Sequence, residues 1–191
     1  DPSYGDVESQ TTGFEIDSNY SRINESSDNY VGWLWDAGGA ASSNSDGTNT
    51  SALVSVSTTA GFSIVKYTGT GASATVGHGL TKTPKFIITK DLDGTNYWNV
   101  YHVDVGYSEY LRLDDSAGAA TPGAARISAT SASTFTTGSA AGETNASNTD
   151  YIAYCWAPVE GFSKFGSYSG NNAVDGPFVW CGFKPALIIF K

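Results

Sequence analysis

The sequence predicts an all-β fold: an antiparallel β-sandwich, jelly-roll or lectin-like, with a partial repeat at each end. Three observations predict it. Short β-branched or aromatic runs alternate with turn residues along the chain. No segment holds a 3.6-residue apolar period for three turns, because Gly, Ser, Thr and Asn interrupt every candidate. Finally, whole blocks of sequence recur in the same order.

The elements follow from alternation and punctuation. Leu53 to Ser57 alternates, with Val54 and Val56 on one face. Gly61 to Tyr67 comes after only Thr58-Thr59-Ala60, so the two runs are expected to pair as a hairpin. Lys85 to Thr89 reads as a buried strand behind Pro84. Trp98 to Val103 alternates Trp98, Val100 and His102 with Asn99, Tyr101 and Val103, and Trp98 is expected on the core side. Tyr110 to Leu113 puts Leu111 and Leu113 on one face. Tyr151 to Trp156 is apolar on both faces, as a central, covered strand requires. Phe178 to Trp180 and Ala186 to Phe190 complete the strands. Asp93-Gly94, Gly118, Pro122-Gly123, Gly170-Asn171 and Asp175-Gly176-Pro177 supply the turns between them.

The repeats set the domain expectations. Gly61-Phe62-Ser63 recurs as Gly161-Phe162-Ser163, Tyr67-Thr68-Gly69 as Tyr168-Ser169-Gly170, and Pro84 to Lys90 as Pro185 to Lys191. Upstream, Phe14 matches Phe135, Asn24-Glu25-Ser26 matches Asn145-Ala146-Ser147, and Tyr30 to Trp35 matches Tyr151 to Trp156. Residues 1–37 are therefore read as the end of a preceding unit. Residues 38–60 are a Gly/Ser/Asn-rich linker or insertion with a short strand. Residues 61–160 form a complete sandwich unit. Residues 161–191 begin a following unit that packs on the sandwich or on a neighbouring subunit. Half-units leave strand edges that need a partner. Ala186, Leu187, Ile188, Ile189 and Phe190 are the expected assembly strand. The sequence has no Met, and its start is read as a processing site or a point within a longer protein.

Composition narrows the function. The chain has 191 residues, a formal net charge of -9 and a pI near 4.4. Such a chain repels phosphate backbones and anionic lipid, so nucleic-acid binding is disfavoured. No apolar run approaches the roughly 18 residues that span a bilayer, so no membrane insertion is expected. Aromatics at 13% are too many for a disordered chain. Cys155 and Cys181 could form one bridge or remain two free thiols.

Candidate chemistry is sparse. His78 lies between two glycines and His102 on a strand, without the further ligands a zinc site needs. Asp91 and Asp93 resemble the start of a calcium loop but lack its later acidic positions, and a hairpin turn explains them better. No Gly-x-Ser-x-Gly elbow occurs. Asp104, Glu109, Asp114 and Glu160 read as surface charge. Tyr97, Tyr101, Tyr107 and Tyr110 form the one binding signal, since exposed rings on a sandwich stack on sugars. The competing reading sends alternate members into the core. Sequons at Asn19, Asn24, Asn49 and Asn145 are read as chance in so Asn-, Ser- and Thr-rich a chain. No catalytic residue, metal or cofactor is assigned.

The segments GFSIVKYTGTGASATVGHGL, TPKFIITK, YWNVYH, DYIAYCWAPVEGFSKFGSYSGN and DGPFVWCGFKPALIIFK resemble a domain common in tail-fibre and other virion structural proteins of marine bacteriophages. YVGWLWDAGGAASSNSDGT resembles the end of a preceding copy. The resemblance implies a virion or extracellular component, a module in a longer repetitive protein, with fibres often trimeric. The expected function is a non-catalytic structural or adhesion module. Its partners would be like chains in a trimer or filament, together with a host surface glycan. The alternatives are a secreted filament subunit assembled by edge-strand exchange, and a carbohydrate-binding module.

Overall fold

The computed structural model describes residues 6–17, 21–32, 34–120, 126–139 and 142–191. Expectations for Asn19, Trp33 and the Pro122-Gly123 turn lie outside the described residues. Contacts divide the chain into two compact units, Asp1–Trp35 and Asp36–Lys191.

The first unit carries strands β1 (Asp6–Gln10) and β2 (Gly13–Asp17) and the single turn of helix α1 (Ser21–Asn24). The second opens with β3 (Ser42–Ser43), β4 (Leu53–Ser57), β5 (Phe62–Thr68), β6 (Ala74–Gly77) and β7 (Phe86–Asp91). It continues with β8 (Asn99–His102), β9 (Leu111–Arg112), β10 (Ile127–Thr130), β11 (Thr134–Thr137), α2 (Gly142–Asn145) and β12 (Asp150–Trp156). All strand pairs are antiparallel, and the all-β sandwich expectation holds.

The larger sheet has seven strands in the order β3-β4-β5-β12-β7-β8-β9, and β10-β11-β6 form a sheet of three. As its two apolar faces predict, β12 is central. Tyr151 stands between Tyr67 and Asp91, Ala153 between Val65 and Thr89, and Cys155 between Ser63 and Ile87. One face of this strip closes on Val76, Leu80, Ile127 and Phe135 to form the core. The Tyr67 ring stacks on Tyr151 at 5.3 Å and meets Phe135 edge-on at 5.8 Å. Aromatic pairs of this kind add about 0.5–1.5 kcal/mol beyond the burial of their area. The opposite face carries an aromatic ladder in which Trp156 lies 4.9 Å from Phe62 and 5.2 Å from Phe86. Trp98 joins that outer face, stacked on Tyr154 at 6.4 Å, and so is not on the core side. The Ile87↔Tyr101 register instead gives the core side to Tyr101 and Asn99.

Residues 38–60 add β3 and β4 to the main sheet, and Ala52 and Val54 enter the core. Phe178–Trp180 and Ala186–Phe190, expected as strands, belong to no sheet. The place beside β12 that Ala186–Phe190 would take by its likeness to β7 is already filled by β7 itself.

Helix α2 is a structural hub despite its length. Tyr151 Oη accepts from Ala146 N (2.9 Å) and donates to Gly142 O (2.8 Å), while Tyr67 Oη donates to Thr144 O (2.7 Å). The buried Asn145 amide accepts from Thr70 N (2.9 Å) and donates to Ala72 O (2.7 Å), clamping the β5–β6 loop. Burial of Asn145 and Asn49 leaves neither sequon presented to a solvent-side enzyme.

The first unit repeats the β10–β11–α2 passage in three dimensions. The starts of β1 and β10, of β2 and β11, and of α1 and α2 each stand 121 residues apart. Ser27 and Asn148 hold the same left-handed turn position, with φ of 77° and 61°. Glu25 N donates to Tyr30 Oη at 2.8 Å, the same bond that Ala146 makes to Tyr151. Residues 30–32 and 34–35, the counterparts of β12, lie in no strand.

Candidate assembly site

The segment from Gly161 onward is the most unusual surface among the described residues. Its sequence resembles β5 and β7, yet it pairs in no sheet beyond a single Val159↔Ser163 bridge. Phe165 stacks on Phe86 at 5.8 Å, and Lys164 Nζ donates to Trp180 O at 2.6 Å while lying 4.9 Å from the Trp180 ring centre. Lys191 Nζ contacts Asp115 O. Between these anchors Phe162, Tyr168, Val174, Phe178, Trp180 and Phe190 are exposed. The expected assembly strand is exposed as well: Leu187, Ile188, Ile189 and Phe190 all face water at least in part, with Ala186 beside them. Burying one such large side chain is worth about 1.5–3 kcal/mol, so the segment stores a sizeable drive for association.

The four tyrosines read as a sugar platform do not form one. Tyr101 and Tyr110 are buried. Tyr97 is exposed, but the Arg112 guanidinium covers its ring at 3.8 Å. Tyr107 stacks on Tyr101 at 5.2 Å and its hydroxyl pairs with Thr130 Oγ1 at 2.8 Å. Burial pushes the Tyr101 hydroxyl up to about 12. The competing reading, alternate rings turned inward, describes Tyr101 and Tyr110.

The remaining candidates resolve into structural roles. Asp91 is buried, paired with Lys90 Nζ and accepting from Asn96 Nδ2 at 2.8 Å. Asp93 Oδ2 accepts from Asp150 N at 2.7 Å. Both carboxylates thus serve the hairpin turn itself. Among the described residues no group of three His, Cys, Asp or Glu side chains is placed to hold a metal. His78 is buried, with Leu80 N donating to its Nδ1 at 3.0 Å, which leaves Nε2 as donor to Ser131 O at 3.3 Å. Desolvation lowers its pKa, and that of His102. Cys155 and Cys181 are both free thiols, with no bridge between them. Cys155 faces the core, where burial pushes its thiol well up. Asp104, Glu109, Asp114 and Glu160 are exposed.

Two polar sites escape sequence reasoning. Glu143 receives Arg112 Nη2 at 2.9 Å and lies 3.1 Å from Arg126 Nη2, tying α2 to edge strand β9. The Arg126 guanidinium lies 4.8 Å from the Tyr110 ring. The hollow beside this cluster is about 20 Å³, room for one water. A second, open groove of about 380 Å³ is lined by Thr48, Asn49, Ser51, Thr68, Thr70 and Asn148. It offers hydroxyls and amides without an aromatic floor. Both sites join residues from separate loops, which no local motif announces.

Comparison with curated proteins and with solved structures finds no match. One family model matches residues 4–191, described as a domain of unknown function. The matched span takes in the N-terminal unit, the sandwich and the exposed C-terminal segment alike, and the chain belongs to the DUF7483 family.

Proposed function

We propose that the chain is a non-catalytic structural module that joins like units into a phage tail fibre or similar virion appendage, outside the cell and without a cofactor. The observation that carries this reading is the exposed apolar segment 161–191, whose sequence counterpart is the buried heart of the sandwich. An apolar surface of that extent marks an interaction site. The virion assignment within this reading comes from the sequence resemblance alone. Presentation of the hydroxyl-rich loops to a host glycan is a subsidiary role, and the groove at Thr48–Ser51 suits it better than the tyrosines do.

The test is sedimentation of the purified chain across a concentration series. Concentration-dependent oligomers or filaments are expected. A monodisperse monomer throughout the series would overturn the reading.

A further inference from the structure

The structure points to a specific occupant for the exposed C-terminal segment. We infer that Tyr30–Trp35 of a second copy of this chain inserts between Phe162–Tyr168 and Ala186–Lys191, rebuilding the β5-β12-β7 strip across two molecules. This rests on the assembly reading above and assigns its residues.

The template is within the molecule. In the sandwich, β12 lies between β5 and β7, with every position of its partners fixed. Tyr30–Trp35 is the sequence counterpart of β12, and it follows the same helical turn, the same left-handed residue and the same backbone-to-tyrosine bond. Residues 162–169, one residue longer than β5, and 187–191 are the counterparts of β5 and β7. The chain thus carries two complementary pieces of one strip, and none of their described residues is in a sheet.

Carrying the sandwich registers across places Tyr168 against Tyr30, Ile188 against Leu34, Leu187 against Trp35 and Phe190 against Gly32. Three aromatics then recover the core triad. Tyr67, Tyr151 and Phe135 are at most 1% exposed, whereas their counterparts Tyr168, Tyr30 and Phe14 are 58%, 46% and 47% exposed. The substitutions between the strips also compensate. Thr89 faces Ala153, and its counterpart Phe190, which is larger, faces Gly32, which is smaller. Lys66 and Asp150 form an ion pair at 2.8 Å, and both charges vanish together in Ser167 and Asn29.

Gly170 supplies an independent sign. A Cβ on its counterpart Gly69 would lie 2.2 Å from Ala146 O, so only glycine fits where the β5 end passes α2. At Gly170 no atom of the described residues lies within 4 Å of such a Cβ. The backbone there is not left-handed either. The single chain gives no steric reason for this glycine. In the composite strip it would pass Glu25 O, the counterpart of Ala146 O. The contact joins different surfaces on the two copies, so it is heterologous and propagates into a filament or closes as a ring.

The experiment mixes two chains in a Cys181→Ser background that keeps the buried Cys155, one with Leu34→Cys and the other with Ile188→Cys as its added surface cysteine. Disulfide trapping under air between the two chains is expected, and a Leu34→Cys with Ile189→Cys mixture should trap far less because Ile189 faces the other side of the strand. Gly170→Val should raise the dissociation constant of self-association by roughly tenfold or more while leaving the thermal unfolding of the single chain unchanged. Oligomers that form equally well with Gly170→Val and trap no Leu34–Ile188 pair would overturn the strand assignment and leave assembly to another surface. A wild-type chain that never self-associates would overturn both.

Discussion

Residues 61–90 and 161–191 share a signature and reach opposite ends. Gly-Phe-Ser opens both, with the glycine left-handed in each, at φ 64° and 74°. A Pro-x-x-Ile-Ile-x-Lys pattern closes both. Yet the first forms β5, β6 and β7, while the second forms no strand. Tyr67 is 1% exposed and Tyr168 is 58%. What differs is the neighbour. The first stretch has β12 to pair with, and the second has none within its own unit. Strand propensity is a preference for a pleated, half-buried surface, and it has no effect until such a surface exists.

The largest effect expected from this contrast is on the stacked tyrosines. Tyr151→Ala removes a buried ring that stacks on Tyr67 and holds α2 through two hydrogen bonds. A loss of about 3–5 kcal/mol is expected for truncating a buried aromatic. Tyr168→Ala should leave the single chain within about 0.5 kcal/mol of wild type, as exposed substitutions do. Urea denaturation of dilute protein measures both. Equal losses at the two positions would show that Tyr168 already supports the fold of the single chain, and the contrast would collapse.

These two regions also show what the sequence makes legible. The β4–β5 hairpin, β7 and the central place of β12 could be read because alternation and short connections are local signals. Leu187 to Phe190 carry the same local signal yet form no strand in the single chain, because pairing is decided by a distant partner. Trp98 lies on the outer face for a related reason. Alternation separates two faces but does not name the inner one, and here Asn99, a polar residue, goes inside. Asn145 and the Arg112–Glu143–Arg126 cluster could not be read at all. Asn145 serves loop atoms more than 70 residues away in the chain.

An intermediate effect is expected from His78, whose counterpart in the later stretch is Val179. Desolvation lowers the folded-state pKa of His78 below 6.5, with the Ser131 carbonyl pulling the other way. Above 6.5 both folded and unfolded chains hold a neutral ring. As pH falls through 6.5, the unfolded chain takes up the proton first, so stability falls until the folded pKa is reached. His102, lowered for the same chief reason, adds a slope of the same sign. Thermal melts between pH 7.5 and about 5 should therefore show a falling midpoint, and His78→Gln should flatten that fall. A wild-type midpoint that rises toward acid would contradict the buried neutral ring.

The smallest effect tests whether the strip tolerates the neutral pair found in its counterpart. Lys66 Nζ and Asp150 Oδ2 meet across β5 and β12 at the sheet surface, in water. Each holds the other charged: the Asp150 carboxylate raises Lys66, and the ammonium holds Asp150 below the usual carboxylate range. Pairs this exposed are screened and contribute little. Lys66→Ser with Asp150→Asn recreates the Ser167 and Asn29 combination inside the sandwich. The melting midpoint should stay close to wild type, and its weak salt dependence should vanish. A large loss of stability would mean that β12 needs this charge pair beside β5, and that a strip lacking it, such as the one assigned between two copies, could not hold the same register.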